Sequence, residues 1–201
     1  MDTKTTTAPD GRTSRAARLK AATQEAHERL DERFLALDPF GDLERYRRFL
    51  AVQHAFHQQI DRLQRSPALA GLIPDMAARR RLDLIRQDML DLGVALPETG
   101  SGEEGPIDVA GAFGWLYVAE GGNLSAATFM RSAAGLGLTG DAGARHLAAA
   151  SQSRGAHWQT FLAALEELGL DEAAERRLVD GGIEAFDRYH ALLATHLVPP
   201  R

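Results

Sequence analysis

The spacing of apolar residues constrains this chain most. They recur every three or four positions between breaks marked by Pro and Gly, and nowhere do β-branched residues alternate over a strand-length window. From Ser14 the positions Ala16, Leu19, Ala22, Ala26 and Leu30 follow helical spacing, and Pro39 to Gly41 ends that segment. Asp42 reads as the N-cap of a second helix reaching about Arg65. A connection from Ser66-Pro67 to Pro74 leads to a third helix predicted over about 75–93, with Met76, Leu82, Ile85, Met89 and Leu92 on one side. An apolar segment from Ile107 to Leu138 is interrupted only by small residues. Thr139 to Gly143 breaks it, and two more helices are predicted, roughly 144–168 and 171–197, divided at Gly169.

The pattern predicts an all-α, single-domain bundle over residues 14–197, preceded by a polar, disordered tail over 1–13. Pro97 to Pro106 is the strongest linker signal in the chain. It joins two halves of one domain, because neither half alone offers much core. A chain of 201 residues suits one such domain.

Composition acts mainly by exclusion. The chain has no cysteine. That removes a disulfide framework, a thiolate nucleophile, a Cys-based zinc site and an iron–sulfur cluster. A formal net charge of −5 argues against a general nucleic-acid binder, which carries a basic excess. The N-terminal stretch has no apolar core of a signal peptide, and no apolar run approaches the ~20 residues that span a bilayer. The expectation is a cytoplasmic protein with no membrane and no nucleic-acid partner.

Two segments carry residues with chemical potential. In the first, Leu19 to Asp31, helical geometry places Lys20, Thr23, His27 and Phe34 on one face beside the apolar stripe. Neutral imidazole is a good ligand for haem iron. Lys20 stands about 10 Å from His27 along the helix axis, a suitable reach for a cation meeting a propionate. A single helical histidine is more often a surface or core residue, and this segment alone leaves both readings open. In the second segment, Phe113 to Met130, Gly121 and Gly122 sit inside an apolar helix at a cost of about 1 kcal/mol each relative to Ala. Such a pair permits a kink. With Ser125, Ala126 and Ala127 it lets a flat group approach the backbone, or it serves close helix–helix packing.

Together these segments resemble the haem oxygenase family. Leu19-Lys20-Ala-Ala-Thr23-Gln-Glu-Ala-His27 is similar to the family's proximal-helix motif. Tyr117-Val-Ala-Glu-Gly121-Gly122-Asn123-Leu-Ser125-Ala126-Ala127 is similar to its kinked distal helix, in a form closest to bacterial members that supply bacteriophytochromes. The resemblance implies a haem sandwiched between these two helices. His27 would be the iron ligand, Thr23 would help bind the cofactor, and Lys20 and Tyr117 would meet the propionates. Gly121, Gly122, Asn123, Ser125 and Ala126 would line the face where O2 binds.

The reaction implied is oxidative cleavage of haem to biliverdin, carbon monoxide and iron. It uses O2 and electrons from a ferredoxin or flavoprotein reductase, since the chain shows no nucleotide- or flavin-binding fingerprint. A bacteriophytochrome is the acceptor that the bacterial likeness suggests. The sequence departs from the family at Ala126 and Ala127, near which members carry Gly-Gly. Their methyls predict crowding of the haem, and they support the alternative of a haem-binding or haem-sensing relative that does not degrade its ligand.

Rival readings are weaker. A di-iron bundle wants paired Glu-x-x-His motifs, and none occurs. A helical thiamin-salvage enzyme would need a Cys nucleophile. His54 and His57 read as a solvated or core pair, Trp158, Phe161 and Leu165 as core, and Arg79-Arg80-Arg81 stays unassigned between a docking patch for an acidic electron donor and, more often for such runs, a solvated helix face.

Overall fold

The computed structural model describes residues 13–97, 107–148 and 154–198. Four long helices carry the architecture: α1 (Arg15–Leu37), α2 (Leu43–Gln64), α5 (Val109–Gly135) and α8 (Glu172–His196). Between them lie α3 (Met76–Arg79), α4 (Leu82–Asp91), α6 (Arg145–Ala148) and α7 (Arg154–Glu167), with a 3-10 turn at Pro67–Leu69. No strand forms among the described residues; Thr139 makes only isolated bridges to Ala142 and Gly143 in the turn after α5. Residues 1–12 of the tail predicted over 1–13, and residues 98–106 of the linker predicted from Pro97 to Pro106, lie outside the described residues.

The helices begin where the sequence places acceptors. The side chains of Ser14, Asp42, Asp108 and Asp171 each accept from a backbone N–H three residues on, starting α1, α2, α5 and α8. Asp38, with φ 43°, closes α1 in the left-handed region immediately before Pro39. The start of α1 is also fixed from outside: Glu166 of α7 accepts from the backbone N–H groups of Arg15 and Ala16 at 3.0 and 2.8 Å. Arg15 donates in turn to Glu175 of α8 at 2.8 Å.

The centre of the bundle is α8, which packs against α1, α2 and α5. Its crossing with α5 is made backbone to backbone. A Cβ on Gly114 would lie 2.2 Å from the Leu178 carbonyl oxygen, and one on Gly181 would lie 2.3 Å from that of Gly111. Both α1 and α5 therefore rest on α8, and the space between them is left to the functional cavity.

One predicted helix differs from the structure. The helix over 75–93 breaks at Arg80, whose φ of −70° and ψ of 138° are extended, so α3 and α4 are separate. The helix over 144–168 has its parts at α6 and α7, on either side of residues 149–153, which lie outside the description. Within α1, Ala22 is exposed while Thr23 is buried, so the buried stripe runs Leu19, Thr23, Ala26.

Candidate functional site

A cavity of about 730 Å³ opens between α1 and α5, within the ~300–1,000 Å³ range of cofactor clefts. The residues that the resemblance assigns to the haem site line it: Lys20, Thr23 and His27 from α1, and Tyr117, Gly121, Gly122, Asn123, Ser125 and Ala126 from α5.

On the α1 side, the His27 ring stacks on Phe186 of α8 at 5.2 Å, and its Nε2 lies 3.5 Å from Asp31 Oδ2. The side chain is 59% exposed, so His27 is held by few protein contacts. Thr23 is buried and its hydroxyl donates to Leu19 O at 2.8 Å. Its methyl abuts Gly182, where a Cβ would come within 3.1 Å. Thr23 therefore seats α1 on α8 as well as lining the cavity. Phe34 and Phe129, stacked at 5.1 Å, form an apolar part of the cavity wall. Elsewhere in the wall Tyr117 meets Trp158 at 5.5 Å, so Trp158 lines the cavity too.

On the α5 side, the two readings of the glycine pair separate. A Cβ at Gly121 or Gly122 meets nothing within 4 Å, whereas close helix packing falls at Gly114. The pair therefore opens a wall of the cavity, and α5 continues through it as one helix. Ala126 is buried and lines the cavity, but Ala127 is exposed and lies outside the lining. The crowding expected from two methyls thus reduces to one.

The sequence reading missed a polar cap on the same cavity, formed by Gln53, His57, Arg81, His146 and Tyr189. The Arg79–Arg81 run is not a solvated face. Extended backbone at Arg80 sends the side chains of residues 79 and 81 inward and the half-buried Arg80 to the other side, onto Asp61 at 2.8 Å. Arg79 pairs with Glu120 of α5 at 2.9 Å, both almost wholly buried. Burial pushes the Glu120 carboxyl up, against the pull of Arg79, Arg81 and a hydrogen bond from Asn123. Arg81 donates to Ala78 O and Arg80 O, and its buried Nε has no protein partner. Gln53 donates to the Tyr189 hydroxyl. The sequence signal available for this cap was the His54–His57 pair: both residues are buried, and His57 faces the cavity. His146 carried no motif.

His57 sets an acid limit on stability. Burial, with His146 and Arg81 nearby, lowers its pKa from 6.5 to about 3. The unfolded chain therefore takes the proton first. The stability contributed by neutral His57 is complete above about pH 6.5 and is lost as pH falls toward 3. Urea midpoints measured across that window should fall less steeply for His57→Gln than for wild type. Parallel slopes would show that His57 is solvated in the fold.

The comparisons with known proteins agree with this geometry. The haem oxygenase family model matches residues 13–195. The chain is 39% identical over 180 residues to haem oxygenase PigA of Pseudomonas aeruginosa, covering 89% of this chain and 91% of that one. This chain belongs to the haem oxygenase family. A solved structure of the NO- and CO-bound haem oxygenase from Neisseria meningitidis superposes with a TM-score of 0.82 at 36% identity, covering 92% of each chain. Haem oxygenases are enzymes for which haem is both substrate and prosthetic group, and the all-α single-domain fold is theirs. No helix among the described residues is long and apolar enough to cross a membrane.

The residues present fit a haem. An imidazole stands on α1, glycine backbone with open space stands on α5, and the buried Nε2 of His146 lines the same cavity without a protein partner.

Proposed function

We propose that this haem oxygenase holds its haem between α1 and α5, with His27 as the iron ligand, and converts it to biliverdin, carbon monoxide and iron. The observation that carries this reading is the single cavity lined by His27 on one helix and by Gly121 and Gly122 on the other. Haem, when bound, supplies both the O2-activating iron and the ring that is cleaved.

The chain's own residues supply position and protons. Lys20 and Tyr117 meet the propionates, Lys20 as a cation and Tyr117 through its hydroxyl. Gly121, Gly122, Asn123, Ser125 and Ala126 form the wall against which O2 is held, and the absence of side chains at the glycines leaves room for it. Asn123 is oriented by its hydrogen bond to Glu120, which Arg79 anchors. The cap of Arg81, His57, His146 and Tyr189 would hold water beside the cavity and would relay protons into it. Electrons come from a ferredoxin or flavoprotein reductase. The likeness of the Tyr117 segment to bacterial members supports a bacteriophytochrome as acceptor of the product, and the lack of cysteine fits a cytoplasmic setting.

The test is a hemin titration followed by ascorbate or a ferredoxin system in air. A Soret band that bleaches as a biliverdin band grows, with carbon monoxide released, is expected. A stable Soret band with a competent donor would instead mark a haem-binding relative.

The wall itself can be tested with opposite signs. Gly121→Leu places a side chain where nothing lies within 4 Å of the Cβ. It should stabilise the haem-free protein by about 0.5–1 kcal/mol, because a helix-interior glycine is removed. The hemin Kd should rise about tenfold, since overfilling a site costs about 1–3 kcal/mol. Undiminished hemin affinity would place the haem away from this wall.

A further inference from the structure

His146 faces the cavity, and its hydrogen-bonding direction is set from outside it. Its Nδ1 lies 2.7 Å from Oδ2 of Asp88, a residue of α4 with 0% exposure. The same Oδ2 accepts from the backbone N–H of His146 at 3.0 Å. Oδ1 accepts from the backbone N–H of Arg145 at 2.9 Å and from its guanidinium at 3.2 Å. A carboxylate only accepts, so each of these partners must be a donor, and Nδ1 must carry the imidazole proton. The other ring nitrogen, Nε2, is buried, has no protein partner and belongs to a ring that lines the cavity.

We propose that Asp88 is a positioning residue that holds His146 as its Nδ1–H tautomer and thereby presents Nε2 to the haem cavity as a hydrogen-bond acceptor. The proposal rests on the cavity being the haem site. Asp88 binds the two N–H groups that begin α6 as well as the ring, so the imidazole is locked relative to its own backbone. The cap then has a direction. Arg81 can only donate, and Nε2 of His146 can only accept. A water between such groups accepts from the guanidinium and donates to the imidazole, an orientation that the opposite tautomer would forbid.

The neighbouring Asp91 separates this role from simple loop anchoring. It accepts from Gly143 N at 2.9 Å and from the Arg145 guanidinium, but it does not touch the ring. Asp91→Asn therefore loosens the same turn without addressing the tautomer, whereas Asp88→Asn adds an amide donor where the ring needs an acceptor.

The experiment is a long-range 1H–15N histidine spectrum of the haem-free, 15N-labelled full chain, with His146 assigned by its loss in His146→Gln. Wild type should show a pyrrole-type Nδ1 and a pyridine-type Nε2 at His146. Asp88→Asn should reverse the major tautomer, and Asp91→Asn should leave it as in wild type. A protonated Nε2 in wild type would overturn the proposal even if Asp88→Asn does not fold. So would an unchanged tautomer in folded Asp88→Asn, or the same change in both variants. Hemin titration reads the haem site separately: Asp88→Asn should keep its Soret band, while turnover falls about tenfold or more. Full turnover with a reversed tautomer would overturn the functional half. Loss of hemin binding by wild type would overturn the haem reading and leave the tautomer result standing.

Discussion

Replacing His27 with alanine is expected to remove the sharp Soret band of the hemin-loaded protein while leaving the haem-free fold intact. The two effects separate because His27 contributes little to the apo structure. Its side chain is 59% exposed, and its contacts are Asp31 at 3.5 Å and the face of Phe186 at 5.2 Å. An exposed substitution moves stability within about 0.5 kcal/mol, and loss of the ring contact adds about 0.5–1.5 kcal/mol. In the proposed site His27 is the imidazole of the α1 wall, and Asp31, the polar group at 3.5 Å from it, is a poor match for haem iron. Hemin that still enters the apolar cavity should give a broad, weak band, and added imidazole should restore the sharp one. Spectra of wild type and variant, taken beside their thermal melts, decide the matter. An unchanged Soret band in a folded His27→Ala protein would remove His27 as the ligand.

Glu120→Ala should cause the largest loss of stability. Arg79 and Glu120 have side-chain exposures of 1% and 5%, so deleting the carboxylate strands a charge in the interior. Breaking a buried pair on one side costs about 3–5 kcal/mol. For a chain of this size that lowers Tm by roughly 6–20 °C. Removing both charges together, as Glu120→Leu with Arg79→Met, should recover most of the loss, because neither charge then remains unpaired. Denaturation of the two single variants and the double variant measures the coupling. A loss under about 1 kcal/mol in Glu120→Ala would show that water reaches the pair. The same substitution removes the hydrogen-bond partner of Asn123 and a charge beside Arg81, so hemin turnover should fall with stability.

The reach of the sequence can be judged from these residues. His27 and the glycine pair were legible because helical spacing is a local property. It assigns Lys20, Thr23 and His27 to one face of α1 without reference to the rest of the chain. Helix starts were legible for the same reason, since Ser14, Asp42 and Asp171 each cap a backbone N–H only three residues away.

The polar cap was not legible, because its members are assembled by long-range packing. His146 is fixed by Asp88, 58 residues away in sequence, and Arg79 finds Glu120 on another helix. A three-arginine run on one continuous helix would fan out into solvent. The extended backbone at Arg80 is what turns its two neighbours inward.

The sequence by itself determined the all-α class, the starts of α1, α2 and α8 and the two faces that meet at the cavity, because each depends on contacts within a few turns. Only the tertiary structure decided which glycines pack helices and which leave space. It alone also decided which charges are buried and that His57 and His146 look into the same cavity as His27. A residue's burial and its partners are set by segments far along the chain, and no local pattern carries that information.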